Sequence, residues 1–130
     1  MTGPAHVHRL SRDGAPDPAD TPAARVLAGS GAAVAWNAFS DTAGRFHAGI
    51  WQAEPGVIAV NYTETELCVL IEGRVRLTDA AGSVEFGPGE AFVIAAGFQG
   101  RWESLGRVAK VYAILEPETE SELESEAEPD

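Results

Sequence analysis

The stretch 66-ELCVLIEGRVRLTDAAGSVEFGPGEAFVI-94 decides the fold. It divides into the short runs 66-ELCVLIE-72, 74-RVRLTD-79, 83-SVEF-86 and 91-AFVI-94, separated by Gly73, 80-AAG-82 and 87-GPG-89. In Arg74-Val75-Arg76-Leu77-Thr78, polar and apolar side chains alternate. That is the period of a strand with one wet face and one dry face. The run Cys68-Val69-Leu70-Ile71 is apolar on both faces and needs a cover on each. The breaks carry glycine, which reaches the positive φ that tight turns demand. Runs this short, spaced this regularly, predict an all-β antiparallel sandwich or barrel.

The same texture extends in both directions. Strands are predicted over 33–39, 45–54, 57–62, 100–104 and 107–115. No segment from 33 to 115 has a long helical period. Upstream, 11-SRDGAPDPADTPAAR-25 is broken by Pro16, Pro18 and Pro22 and reads as an arm. A short helical turn is expected over 20–28, capped by Asp20 or Thr21 with Pro22 in its first position. The expected organisation is an N-terminal arm and first element over 1–32, a barrel over 33–115 and an acidic tail over 116–130.

At 130 residues the chain suits one domain. Its lone cysteine, Cys68, excludes an internal disulfide and a multi-cysteine zinc site. No apolar run approaches ~18 residues, so no membrane span is expected. The opening MTGPAHVHRL lacks the pattern of a signal peptide, and a cytoplasmic location is the expectation. The formal charge is −11, yet 116-EPETESELESEAEPD-130 holds eight acids and no base, and removing them brings the charge to −3. With one leucine and no aromatic, that tail is predicted to be disordered. No basic stripe is present, so nucleic acid is excluded as a partner.

The segment from Glu66 to Ser104 resembles a cupin, a double-stranded β-helix or jelly-roll barrel. Six residues separate Glu66 from Gly73, as in the first cupin motif. Gly89-Glu90, the apolar run to Ile94 and 95-AAG-97 resemble the second. More narrowly, residues 45 to 115 are similar to the ethanolamine-utilisation-type, single-domain cupins. Metal-binding cupins carry two histidines before the motif-one glutamate and one in motif two. Those places fall here on Val60, Tyr62 and Gly100, and only Glu66 is retained. The resemblance therefore implies a barrel without the usual metal, and no cofactor is expected. The pair His6 and His8 lies in the polar arm, where two donors are too few for a transition-metal site.

The motif implies a lumen bearing Tyr62 and Glu66; Glu64 shares their parity, but Thr63-Glu64-Thr65 also reads as a solvated rim or turn. Two readings of Glu66 stand side by side. It is a general base partnered by the Tyr62 phenol, or it is a structural acceptor that fixes the barrel. Trp51, Trp102 and Tyr112 are candidate walls for a ligand. Lys110 interrupts an apolar run and either faces solvent or pairs with a carboxylate inside. His47 reads as a satisfied or exposed histidine, and Cys68 as a small buried hydrophobe.

The expected function is metal-independent acid/base chemistry on a small oxygenated metabolite, of isomerase, cyclase, dehydratase or lyase type. Tyr62 and Glu66 would be catalytic; Trp51, Glu64, Trp102, Lys110 and Tyr112 would bind the substrate. The alternative is a module that binds or senses a small molecule without changing it. Strands dry on both faces predict a homodimer.

Overall fold

The computed structural model describes residues 3–117, so the expected disordered tail lies outside the described residues from 118 on. The described chain forms β1 (Asp17–Pro18), β2 (Val26–Gly29), β3 (Ala33–Ser40), β4 (Phe46–Ala53), β5 (Gly56–Asn61), β6 (Thr65–Asp79), β7 (Gly82–Phe86), β8 (Ala91–Ile94) and β9 (Gln99–Leu115). β6 and β9 are long enough to serve two layers. The first half of β6 pairs with the second half of β9, from Thr65↔Leu115 to Leu70↔Lys110. Its second half pairs with the first half of β9, from Arg74↔Leu105 to Thr78↔Arg101.

Each half gathers different neighbours. One layer runs β1-β3-β4-β9-β6-β8, and the other runs β2-β5-β9-β6-β7. Every pairing is antiparallel. The sheet folds over on itself into a jelly-roll barrel, as the alternation in the sequence predicted.

The corner lies at Gly73. Here φ is +79°, and the β6–β9 register shifts on both sides of Glu72. A Cβ at Gly73 would run into the Arg107 carbonyl, so the backbones can cross this closely only without one. Gly73 and Gly106 divide sequence runs that looked like separate strands. Both glycines prove to be bends within single strands, because a positive φ turns a strand without ending its ladder.

Between the layers, Cys68, Leu70, Val75, Leu77, Ile94, Trp102 and Val108 form the dry core. Each large side chain fully buried here contributes about 1.5–3 kcal/mol. Phe86 and Phe92 stack with centroids 4.0 Å apart and pack against this core. Trp102 meets Trp51 edge-on at 5.5 Å, and its indole N–H donates to Ser104 Oγ at 3.0 Å.

The N-terminal arm is fixed to the outer face of β3 and β4. The Trp36 indole N–H donates to the Gly14 carbonyl at 3.0 Å, His8 packs on Phe39 at 4.8 Å, and Arg12 reaches Gln52 and Glu72. The helical turn expected over 20–28 shortens to a 3-10 turn at Ala23–Arg25, followed by β2. Pro22 stands at its N-cap without a side-chain cap bond. Asp20 instead accepts from the Ala33 amide at 2.9 Å, tying the arm to β3. Tertiary pairing of Val26–Gly29 with β5 outweighs the helical preference of the alanines.

Replacing Gly73 by valine adds a branched Cβ at positive φ against backbone. The expected loss is about 2 kcal/mol or more of folding free energy, read as a lower urea midpoint at unchanged slope.

Candidate functional site

A cavity of about 420 Å³ opens between the layers. Its centre is an ion pair. Lys110 Nζ lies 2.7 Å from Glu66 Oε2, and the two residues are only 5% and 4% exposed. β6 and β9 produce this pair through their register. Lys110 stands opposite Leu70, Tyr112 opposite Cys68 and Ile114 opposite Glu66. The lysine stem therefore reaches across the Cys68–Tyr112 row to meet Glu66, and passes Cys68 Sγ at 3.7 Å.

The ammonium lies over the faces of Trp102, at 4.3 Å, and Trp51, at 4.8 Å. These ring faces offer a cation electrostatic attraction in place of lost water. Burial by itself works against the charge on Lys110. The acidic groups of Tyr62, Glu66 and Cys68 outweigh it and hold the ammonium above the ordinary lysine range. Burial pushes the Cys68 thiol up to about 12, so it stays a thiol at neutral pH and is no nucleophile. Burial, reinforced by the charge of Glu66, raises the Tyr62 phenol despite the opposing pull of Lys110. Tyr62 is thus a proton-bearing donor at physiological pH.

A second polar group descends from the wall. Tyr112 donates to Asn37 Oδ1 at 2.6 Å. Asn37 Nδ2 donates to Ser40 Oγ at 2.9 Å, and Ser40 Oγ lies 2.7 Å from His47 Nδ1. His47 Nε2 lies 3.1 Å from the Gly44 carbonyl, which can only accept. Nε2 therefore donates to that carbonyl, while either atom can be the donor between Ser40 Oγ and Nδ1. Gly49 makes this chain possible: a Cβ there would come within 2.6 Å of the Tyr112 hydroxyl and would also strike the Trp36 carbonyl.

The structure brings together Trp51, Tyr62, Glu66, Trp102, Lys110 and Tyr112 around the cavity. Glu64 is not among the lining residues. It sits in the bend between β5 and β6, where the two-residue parity that linked it to Glu66 is interrupted. Thr21, Arg25, Asn37 and His47 also line the cavity. Asn37 had a visible signal, since it is a lone amide in the apolar run 33-AVAWNAF-39. Arg25 had none, because its 3-10 turn reaches the mouth only through the β2–β5 pairing.

The fold's usual metal position can be tested against these residues. Val60 and Gly100 provide no ligand, and the Glu66 carboxylate is occupied by an ammonium. A metal ion at Glu66 would be repelled by Lys110. A Cβ at Gly100 would strike the Thr78 carbonyl. Among the described residues no three His, Cys, Asp or Glu side chains gather to hold a metal. The site does not fit a transition-metal ion.

Lys110→Met leaves the Glu66 carboxylate buried without its partner. The expected cost is about 3–5 kcal/mol in urea unfolding. The double variant Glu66→Gln/Lys110→Met should recover much of that loss, because no unpaired charge remains.

Known structures carry the same architecture. A protein of unknown function from Pseudomonas syringae pv. tomato str. DC3000, of the DUF861 family, is 29% identical with a TM-score of 0.70, over 81% of this chain and 46% of that one. This chain thus spans about half the length of that relative. The EutQ protein of Clostridium difficile is 14% identical with a TM-score of 0.59, over 65% of this chain and 62% of that one. An ethanolamine utilization protein Q from Salmonella typhimurium LT2 is 13% identical with a TM-score of 0.60, over 78% of this chain and 98% of that one. The last two identities are low enough that the likeness speaks for the fold alone. No curated protein matches the chain. The model of the EutQ-like cupin domain matches residues 40–112, more than half of the chain, and the chain belongs to that family.

Proposed function

We propose that the barrel binds a small oxygenated metabolite and moves a proton on it without a metal. The buried Glu66–Lys110 pair, facing a cavity large enough for such a molecule, carries this reading. Glu66 is the acceptor for a proton next to a carbonyl or hydroxyl carbon. Tyr62 holds its own proton and donates a hydrogen bond to the oxygen on which negative charge develops. Lys110 pairs with Glu66 at 2.7 Å and adds positive potential beneath that oxygen. Trp51, Trp102 and the apolar side chains of Ile58, Val60 and Ile114 keep the site dry, so these charges act at low dielectric. Isomerisation, dehydration and lyase chemistry share this step.

The test is solvent deuterium incorporation by NMR into small hydroxy acids, keto acids and sugars incubated with the full chain. Exchange into at least one compound is expected. Glu66→Gln should lower it about a hundredfold or more, and Tyr62→Phe about tenfold or more, each assayed at a temperature where circular dichroism shows the variant folded, since Glu66→Gln leaves Lys110 buried without its partner. A compound that binds yet never exchanges would assign the cavity to binding or sensing instead.

A homodimer is proposed on a second observation. Leu67 and Val93 are paired across β6 and β8 and point away from the cavity, 43% and 61% exposed. Phe46 and Leu115 are paired on the same outer face and are also exposed. Ala48 and Ala113 lie between them, so the patch carries no charge. A second copy of the same patch would cover it. Leu67→Asp is expected to give a monomer in sedimentation velocity, where the parent chain gives a dimer. A parent chain that sediments as a monomer removes this reading.

A further inference from the structure

We infer that the cavity's ligand is a small monocarboxylate, held at the mouth through its carboxylate by Arg25. This rests on the reading of the cavity as a ligand site. It adds the charge and class of the molecule.

The argument is a charge balance. Glu66 and Lys110 cancel each other on the cavity floor. His47 is engaged by Ser40 and the Gly44 carbonyl and has the Glu116 carboxylate beside it, so it offers the cavity no charge without an opposite. Tyr62 and Tyr112 keep their protons, since both phenols are raised, chiefly by burial. Glu116 approaches His47 Nε2 at 3.8 Å but does not line the cavity. That leaves Arg25 as the lining charge without an opposite. Arg12, Arg76 and Arg107 pair with Glu72, Glu85 and Glu54, whereas Arg25 has no acidic partner among the described residues.

A guanidinium matches a carboxylate by two parallel N–H donors, and Thr21 also lines the cavity. One net positive charge suits a monoanion. A phosphate ester, carrying nearly two charges, would find only half its compensation. Behind the mouth, Ile58, Val60 and Ile114 receive a short carbon chain, and Tyr62 and Glu66 meet its oxygenated carbon. The chain's overall charge of −11 opposes anions at long range, but that repulsion is screened beyond about 8 Å at physiological salt.

The experiment is calorimetric titration of the full chain with lactate, pyruvate and 3-hydroxybutyrate, each beside its primary amide. At least one acid should bind at millimolar concentration, and its amide should bind at least tenfold more weakly. Arg25→Gln should weaken the acid roughly ten- to hundredfold and erase the preference, while Arg25→Lys keeps part of it. Arg25 is exposed, so these variants leave the core intact. Equal binding of acid and amide, a preference that survives Arg25→Gln, or no binding by any of the acids overturns the inference.

Deuterium incorporation separates the two readings. Arg25-dependent acid binding without exchange removes the proton transfer and keeps the carboxylate site. Exchange on neutral compounds, unchanged in Arg25→Gln, does the reverse.

Discussion

The pairing of Glu66 with Lys110 is the constraint around which the rest of the barrel is arranged. Neither charge tolerates burial alone, since an isolated ion in a dry interior costs several kcal/mol. Each therefore dictates the other's position, and through it the register of β6 against β9. A slip of one residue along that ladder would send Glu66 to the outer face and leave Lys110 stranded. Hydrophobic burial alone discriminates such a slip weakly here, because 68-CVLI-71 and 108-VAKVYAIL-115 are apolar on both faces. The ion pair supplies the distinction that the apolar pattern lacks.

The two tryptophans extend this constraint into the site. Trp51 comes from β4 and Trp102 from the first half of β9, so the ammonium lies where three strands meet. A side chain held by a carboxylate and two ring faces has little freedom left. The polar floor is thus preorganised, which is the property that electrostatic catalysis and selective binding both need. The wall is organised differently. Its order comes from the run Tyr112, Asn37, Ser40 and His47, where each donor has an acceptor and the last proton ends on a backbone carbonyl.

Much of this was legible in the sequence, for reasons that differ by residue. Strand alternation gave the all-β barrel because one-sided burial writes its period into the chain. Tyr62, Glu66, Trp51, Trp102 and Tyr112 came to the cavity because each lies on a strand's inward parity or follows the motif's spacing. Glu64 did not, since parity holds only while the strand is extended and the bend after Asn61 interrupts it. For Lys110 the sequence left two placements open. Its partner lies 44 residues away, and only the β6–β9 register joins them. Arg25 was invisible for a similar reason, as nothing local marks a turn that reaches a cavity built mostly from distant strands.

Gly100 limits which side chains the barrel can acquire by substitution. A histidine here would not fit as the barrel stands, because its Cβ would meet the Thr78 carbonyl, which belongs to the backbone and cannot swing aside. β6 and β9 would first have to separate, and the Lys110 ammonium would still stand beside the retained glutamate. A histidine ligand at this position therefore requires several changes, the first of them harmful when made alone. The main chain at this crossing thus closes one position to every side chain larger than hydrogen, and the ligands a cavity of this kind can be given are limited by backbone as well as by side chains.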